Sequence, residues 1–302
     1  MCWLDRKNVK KEVLLSVIEA VNLSYAYDSN FNKKSIDNVN LKIEKGRYVC
    51  FIGKTGSGKT TLAENLGLIL KPTGGTVLFD GVDVWSSKVS EREARRQIGF
   101  IFQFAHYQLF AETVEQDIAF GPRNLGLLDS EVRERVFYAA SIVGLEERLF
   151  KKSPFELSGG QQKRVAIAGV LAMKPKVLIL DEPTVGIDPR GRVQILKIFR
   201  DYHDREGCTT IHVTHDMQEV VNFADEVALM VNGKLFSFSS VKNMFENYEL
   251  LKKIGFNLPQ IVEVFVKLKR MGFDVPSNVY DAKSAAKILA EMVLGEVKNL
   301  ND

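Results

Sequence analysis

Eight residues, Gly53-Lys54-Thr55-Gly56-Ser57-Gly58-Lys59-Thr60, follow the spacing GxxxxGK[ST]. Glycines at these positions let backbone N–H groups converge on phosphate oxygens. The helix expected after them adds partial positive charge at its N-terminus. Lys59 is expected to reach the β and γ phosphates of a nucleotide, and the Thr60 hydroxyl to ligate Mg2+. Thr61 closes the candidate loop. A second element, VLILDE over 177–182, is an apolar run ending on two adjacent carboxylates. Asp181 is expected to hold Mg2+, and Glu182 to orient and activate an attacking water as general base.

Three further side chains join these by position. Gln103 ends the run QIGFIFQ, where it can touch the metal ion or the water; an ordinary surface glutamine is the alternative. His215 follows TTIHVTH, at the C-terminal end of a strand, where α/β sheets build their sites. A lone histidine is more often structural, so a contact to the γ-phosphate competes with that role. Tyr27, in LSYAY, can stack on an adenine or simply pack, and Tyr25 competes for the same role.

The stretch LSGGQ, 157–161, raises a question of number. Ser158 is an N-cap candidate for the helix QKRVAIAGVLA, and Gly159, Gly160 and Gln161 present amides at its positive end. That makes a second anion site, although one nucleotide needs one cradle. Two copies arranged head to tail resolve this, each phosphate loop facing its partner's LSGGQ with ATP between them. A plain glycine-rich helix cap is the alternative.

These residues need elements to position them. SVIEAV, VNLKI and YVCFIG are expected strands; from Lys59 a helix carries Leu62, Leu66, Ile69 and Leu70 on one face and stops at KPTGG. TVLFDGVDV is expected as strand, Asp-Gly turn and strand. KVLILDEP and TTIHVTHD are continuous apolar runs, as in a parallel sheet covered on both faces. EVALMVNGKLFSF is expected as a hairpin turning on Asn232-Gly233. Residues 104–156 differ: they are mostly helical, punctuated by Gly121-Pro122 and by Pro154, and form an insertion between two halves of a sheet domain. After Ser240, two amphipathic stretches follow. One carries Leu258, Ile261, Val262, Phe265 and Leu268; the other carries Ala285, Ile288, Leu289, Met292 and Val293 and closes at Gly295.

Composition sets the outer limits. The 302 residues are 45% hydrophobic and 26% charged, with a net charge of +3, an ordinary globular balance that gives no reason to expect a nucleic-acid partner. The three cysteines form no CxxC pair, which suits a reducing compartment. No apolar run approaches the roughly 18 residues of a membrane helix. The N-terminus lacks the apolar core of a signal peptide, so a cytosolic protein is expected, able to sit on a membrane through a partner.

Taken in order, Gly53–Thr60, Gln103, LSGGQ, LILDEP, Asp188 and His215 resemble the ATP-binding cassette ATPases over roughly residues 15–240. The resemblance implies an α/β fold: a P-loop NTPase (RecA-like) core with an antiparallel β subdomain and a helical subdomain, and here a small C-terminal helical extension. It assigns Tyr27 to the A-loop, Gly53–Thr60 to Walker A, Gln103 to the Q-loop, Ser158–Gln161 to the signature, Asp181 with Glu182 to Walker B, Asp188 to the D-loop at the dimer interface, and His215 to the H-loop. ATP and Mg2+ are the implied cofactors. The corresponding division is a lead-in over 1–14, a cassette over 15–240 with its helical subdomain at about 104–161, and a dimerisation extension over 241–302.

A narrower resemblance lies in FQFAHYQLFAETVEQDIAFGPRNLG, RVAIAGVLAMKPKVLILDEPTVGIDPRGR and LPQIVEVFVKLKRMGFDVP. These look like the energy-coupling-factor transporter ATPases, second ATPase type. The family powers uptake of vitamins and transition-metal ions, and implies as partners a second cassette ATPase, an energy-coupling transmembrane subunit and a substrate-binding membrane subunit, with the chain peripheral on the cytoplasmic face of the cell membrane. Ala105-His106 stands where the family often has proline and an acidic residue, near the implied membrane-partner groove; Phe104, Leu109 and Phe110 either line that groove or pack in the core of the helical subdomain. A conventional cassette importer or exporter, a soluble cassette ATPase and a degenerate scaffold subunit are the alternatives. The C-terminal helices, the single cassette and the intact Lys59, Ser158, Glu182 and His215 argue against each in turn.

Overall fold

The computed structural model describes residues 16–28, 33–246, 248–253, 255–256, 259–276, 279–280 and 282–299. The lead-in over 1–14 and Leu258 lie outside them. The strands are β1 (Ser16–Ala26), β2 (Lys34–Glu44), β3 (Tyr48–Ile52), β4 (Gly74–Phe79), β5 (Val82–Asp83), β6 (Ile98–Ile101), β7 (Val177–Asp181), β8 (Thr209–Val213), β9 (Glu226–Val231) and β10 (Lys234–Ser240). The α-helices are α1 (Lys59–Leu66), α2 (Lys88–Arg95), α3 (Val114–Asn124), α4 (Asp129–Val143), α5 (Gly159–Leu171), α6 (Pro189–Glu206), α7 (Met217–Phe223), α8 (Val241–Glu246), α9 (Tyr248–Lys253), α10 (Gln260–Arg270) and α11 (Ala282–Asn299).

Two sheets result. A four-stranded antiparallel sheet has the order β2-β1-β4-β5, and a six-stranded sheet the order β10-β9-β3-β8-β7-β6. In the larger sheet β9, β3, β8, β7 and β6 run parallel and only β10 is antiparallel. Apolar residues fill β3 and all of β7 but its terminal Asp181, as expected of strands covered on both faces; β8 is buried throughout as well, although Thr209, Thr210 and His212 are polar. The smaller sheet instead shows one face to the core: Val39, Leu41 and Ile43 of β2 are buried while their neighbours are not.

Three hydrophobic clusters bind these layers. Ile36, Val39, Leu62, Leu66, Val77 and Ile211 join the small sheet to α1 and the large sheet. Ile118, Val136, Ile167, Leu178 and Phe199 join α3, α4 and α5 to the opposite face and to α6. Tyr48, Val220, Leu229, Met244 and Phe256 carry the sheet into the C-terminal helices. The extension has its own small core, with Phe265, Val275, Val279 and Ala285.

The hairpin turns where Asn232-Gly233 predicts, with both residues at positive φ. Four local expectations shift. The helix after Lys59 ends at Leu66, so Ile69 and Leu70 lie beyond it; Gly67 caps it and Leu68 turns the chain at φ 59°. β6 ends at Ile101, which leaves Gln103 in the following turn. Pro122 does not break a helix but lies inside α3, two residues before its end; it forgoes only its own hydrogen bond to the Ile118 carbonyl, and Leu125 still bonds back to Gly121. The last helix passes through Gly295 and reaches Asn299.

Candidate nucleotide site

Parallel register brings four strand ends to one edge. Phe51 of β3 and Asp181 of β7 both stand opposite Val213 of β8, and Leu180 stands opposite Ile101 of β6. The phosphate loop leaves β3, the paired carboxylates leave β7, Thr214-His215 leave β8, and Gln103 follows β6. This is the carboxyl edge of the sheet, where α/β proteins bind ligands.

The loop is held closed by its own lysine. Lys59 Nζ donates to the carbonyls of Gly53 and Lys54 at 2.9 and 3.1 Å. Its side chain is buried, and burial pulls the ammonium below its usual range against the nearby Glu182 and Asp181 carboxylates. A phosphate group would replace the two carbonyls as a better counter-charge. Gly58 takes φ 98°, and a Cβ there would stand 2.5 Å from the Ser35 carbonyl oxygen. Gly233, at the hairpin tip, approaches the same carbonyl, so both glycines serve close backbone packing that pins the loop to β2.

Thr60 Oγ1 donates to Asp181 Oδ1 at 3.0 Å, linking the first turn of α1 to the end of β7. Burial pushes the Asp181 carboxyl up to about 6, opposed by the Thr60 hydroxyl. A buried carboxylate beside a hydroxyl is a donor set that fits a hard oxygen-seeking ion such as Mg2+. The next residue, Glu182, takes the left-handed conformation at φ 43° while its N–H donates to the Val213 carbonyl. Such a backbone costs about 1–3 kcal/mol and marks a side chain aimed by its surroundings. Glu182 Oε1 lies 3.5 Å from His215 Nδ1.

Tyr27 lies just past β1, exposed, with its ring edge-on to Tyr25 at 4.9 Å. Its hydroxyl meets Thr61 Oγ1 at 3.2 Å and Glu64 Oε2 at 3.3 Å. Thr61 thus gives its side chain to Tyr27, which ties that ring to α1. Gln103 is half-buried beside this edge.

LSGGQ stands apart from the cradle. Ser158 caps α5 by a reciprocal capping box with Gln161, and the helix packs on α3 and α4. Ser158, Gly159 and Gly160 are exposed, and a Cβ on either glycine would meet open space. Among the described residues no hydrogen bond joins this turn to 53–61 of the same chain. Asp188 is also exposed and caps α6 through the N–H groups of Arg190 and Gly191, both at 3.0 Å.

One part of the site escaped the sequence. Glu219 is buried in α7, and its carboxylate gathers Thr214, Thr184 and Arg192. Lys163 of α5 is buried too; its amine donates to the Val185 carbonyl at 3.3 Å, and burial pulls it below its usual range. The available signal was a carboxylate between the apolar Met217 and Val220, which a helix this short cannot turn to solvent on both sides.

Comparisons agree with this geometry. Residues 36–185 match the family model described as ABC transporter. The chain is 42% identical over 280 residues to the energy-coupling factor transporter ATP-binding protein EcfA2 of Caldanaerobacter subterraneus subsp. tengcongensis, covering 92% of this chain and 98% of that protein. It is 45% identical over 273 residues to the protein of the same name from Clostridium acetobutylicum, covering 89% and 96%. Among solved structures, cbiO1 from Clostridium perfringens, described as part of the ABC transporter complex cbiONQ, matches with TM-score 0.70 and 38% identity over 82% of this chain and 98% of its own. The cassette MJ0796, solved as a dimer in a post-hydrolysis state with ADP and Pi, matches with TM-score 0.66 and 28% identity over 74% and 98%. The chain is therefore an ATPase of the ABC transporter family, on the branch of the energy-coupling factor transporter ATP-binding proteins.

Proposed function

We propose that this chain is the second-type ATPase of an energy-coupling-factor importer, driving uptake of a vitamin or transition-metal ion through membrane partners. The observation that carries the membrane-partner part is a groove of about 800 Å3 between α2, α3 and α5. Its floor is apolar, with Leu109, Phe110, Phe120, Val170 and Met173, and its rim carries Arg92 and Arg95 of α2. Phe110 and Phe120 meet edge-on at 4.8 Å and are both exposed. An apolar floor of this size with a charged rim fits a short amphipathic helix of a membrane subunit. Among the described residues no helix is long and apolar enough to cross a membrane, so the partner supplies that part. Attachment is peripheral, on the cytoplasmic face.

In this reading ATP lies between Gly53–Thr61 of one cassette and Ser158–Gln161 of a second cassette ATPase, of this or a related chain, with Asp188 at their interface. Thr60, Gln103 and Asp181 hold Mg2+, which when bound neutralises charge on the β and γ phosphates. Lys59 steadies the γ-phosphate, Tyr27 receives the adenine, Glu182 takes the proton from the attacking water, and His215 supports the developing charge. The division into a cassette over 15–240, with helices at about 104–161, and an extension over 241–302 that steadies the dimer belongs to the same proposal.

The test is affinity purification of the tagged full chain from detergent-solubilised native membranes, alongside Phe120→Glu. Recovery of a second cassette ATPase and membrane subunits, lost in Phe120→Glu while ATP binding persists, supports the importer. Recovery of nothing membranous, or of ribosomes, overturns it.

A further inference from the structure

We infer that Glu219, together with Arg192, is a positioning pair for hydrolysis that sets Glu182 and His215 in register with the α6 N-terminus carrying Asp188. The inference rests on the reading above, in which Glu182 and His215 act on the γ-phosphate.

Glu219 Oε1 accepts from Thr184 Oγ1 at 3.2 Å, from Arg192 Nε at 2.9 Å and from Arg192 Nη2 at 2.7 Å. Its Oε2 accepts from Thr214 Oγ1 at 2.5 Å. Each donor belongs to a segment that carries a site residue. Thr184 is two residues beyond Glu182, Thr214 directly precedes His215, and Arg192 is one helical turn beyond Asp188. Arg192 Nη2 also meets Asp216 Oδ2 at 2.5 Å, closing the set on the His215 side.

Local structure explains how the carboxylate becomes available. Asp216 caps α7, and Glu219 stands where a capping-box glutamate would turn back to the Asp216 N–H. That N–H is instead taken by Thr214 Oγ1 at 3.1 Å, and Glu219 turns inward. A buried charge needs several partners to be tolerated, and here all of them lie on the segments that converge at the γ-phosphate end. The strained Glu182 backbone is anchored within the same short stretch, since Val185 N–H donates to the Glu182 carbonyl and Lys163 holds the Val185 carbonyl. In this reading Glu219 acts through these segments. A displacement of about 1 Å at a reacting group costs on the order of a hundredfold in rate, so losing the hub is expected to lower turnover while leaving ATP binding intact.

The experiment compares Glu219→Gln, Arg192→Met, the double variant, Glu182→Gln and Thr210→Val in the full chain purified with its membrane partners. Thr210→Val removes a different buried hydrogen bond, to His203 Nδ1 at 3.0 Å, and reports what loss of stability alone does. Phosphate release is normalised to bound ATP. The expected result is kcat lowered at least about tenfold by Glu219→Gln and by Arg192→Met, with KM for ATP within about threefold, and a double variant no worse than the poorer single one. Unchanged kcat in folded Glu219→Gln, or losses that follow the ATP-binding fraction as in Thr210→Val, overturn the pair. If Glu182→Gln hydrolyses ATP normally, the reading of the site fails and the pair fails with it. If Glu182→Gln is inactive and Glu219→Gln is not, only the pair fails.

Discussion

His215 Nδ1 stands 3.5 Å from Glu182 Oε1, so the ends of β8 and β7 place an imidazole directly beside the proposed general base. Replacing Glu182 by Gln keeps the shape and removes the base. Hydrolysis is expected to fall by about a hundredfold or more while ATP affinity is preserved. Single-turnover phosphate release, beside equilibrium binding of ATP, checks both halves, and normal turnover would reassign the base.

Thr60 and Asp181 form the other contact across the sheet edge, 3.0 Å apart. Asp181→Asn removes the charge a divalent ion needs. ATP affinity measured with Mg2+ is expected to weaken at least about tenfold, with a much smaller change in EDTA. Equal weakening with and without the metal would place Asp181 outside the ion's reach.

Ser158 has one role in the structure and a second, separable one in the proposal. As the N-cap of α5, its loss in Ser158→Ala should cost about 1 kcal/mol in urea unfolding. If it also binds the opposite nucleotide, ATP-driven dimerisation should weaken far more than that loss explains. Light scattering of a Glu182→Gln background with and without Ser158→Ala measures it.

Two buried groups give stability opposite pH dependences. His212, with no exposure, is held down to about 4 by burial, in spite of Glu219 at 3.4 Å. Between about 4 and 6.5 the unfolded chain binds the extra proton, so His212 contributes stability above that window that is lost as pH falls through it. The full effect is about 3 kcal/mol. Asp181, raised to about 6, acts the other way: its preference for the proton contributes stability at low pH that is lost as pH rises toward 6. Unfolding of metal-free protein from pH 4 to 7 should therefore flatten at its acid side in His212→Asn and steepen in Asp181→Asn. Curves unaltered by either change would show that neither group titrates there.

The thiols of Cys50 and Cys208 are buried, and burial pushes both up, that of Cys208 to about 11. Neither should be alkylated by iodoacetamide at pH 8 in the folded protein, and both should be once it is denatured. Peptide mass mapping reads this directly.

The loop Gly53–Thr60 was legible as a candidate cradle because its pattern is local. Gly53–Thr60 needs consecutive amides and a lysine at fixed spacing, and VLILDE must end a buried strand on its carboxylates; chain order alone states both. Tyr27 was legible as a candidate only, because an aromatic beyond β1 can stack or pack. Its hydroxyl contacts to Thr61 and Glu64 came from the fold. The end of α1 at Leu66 and the passage of α3 through Pro122 are not legible in the pattern, because apolar spacing continues past a helix end and because tertiary packing can outweigh the one hydrogen bond a proline forgoes.

By itself, then, the amino-acid order determined the glycine-lysine loop, the paired carboxylates and the strands that deliver them, since those features are set within a few residues of backbone. Only the tertiary structure decided what surrounds them. The parallel register put Phe51, Asp181 and Val213 level at one edge, and the groove opened between α2, α3 and α5. Glu219 turned inward because Thr214 had taken its capping partner. That last outcome depends on side chains from three segments meeting in one buried place, and burial and hydrogen-bond satisfaction across such distances are properties of the packed chain.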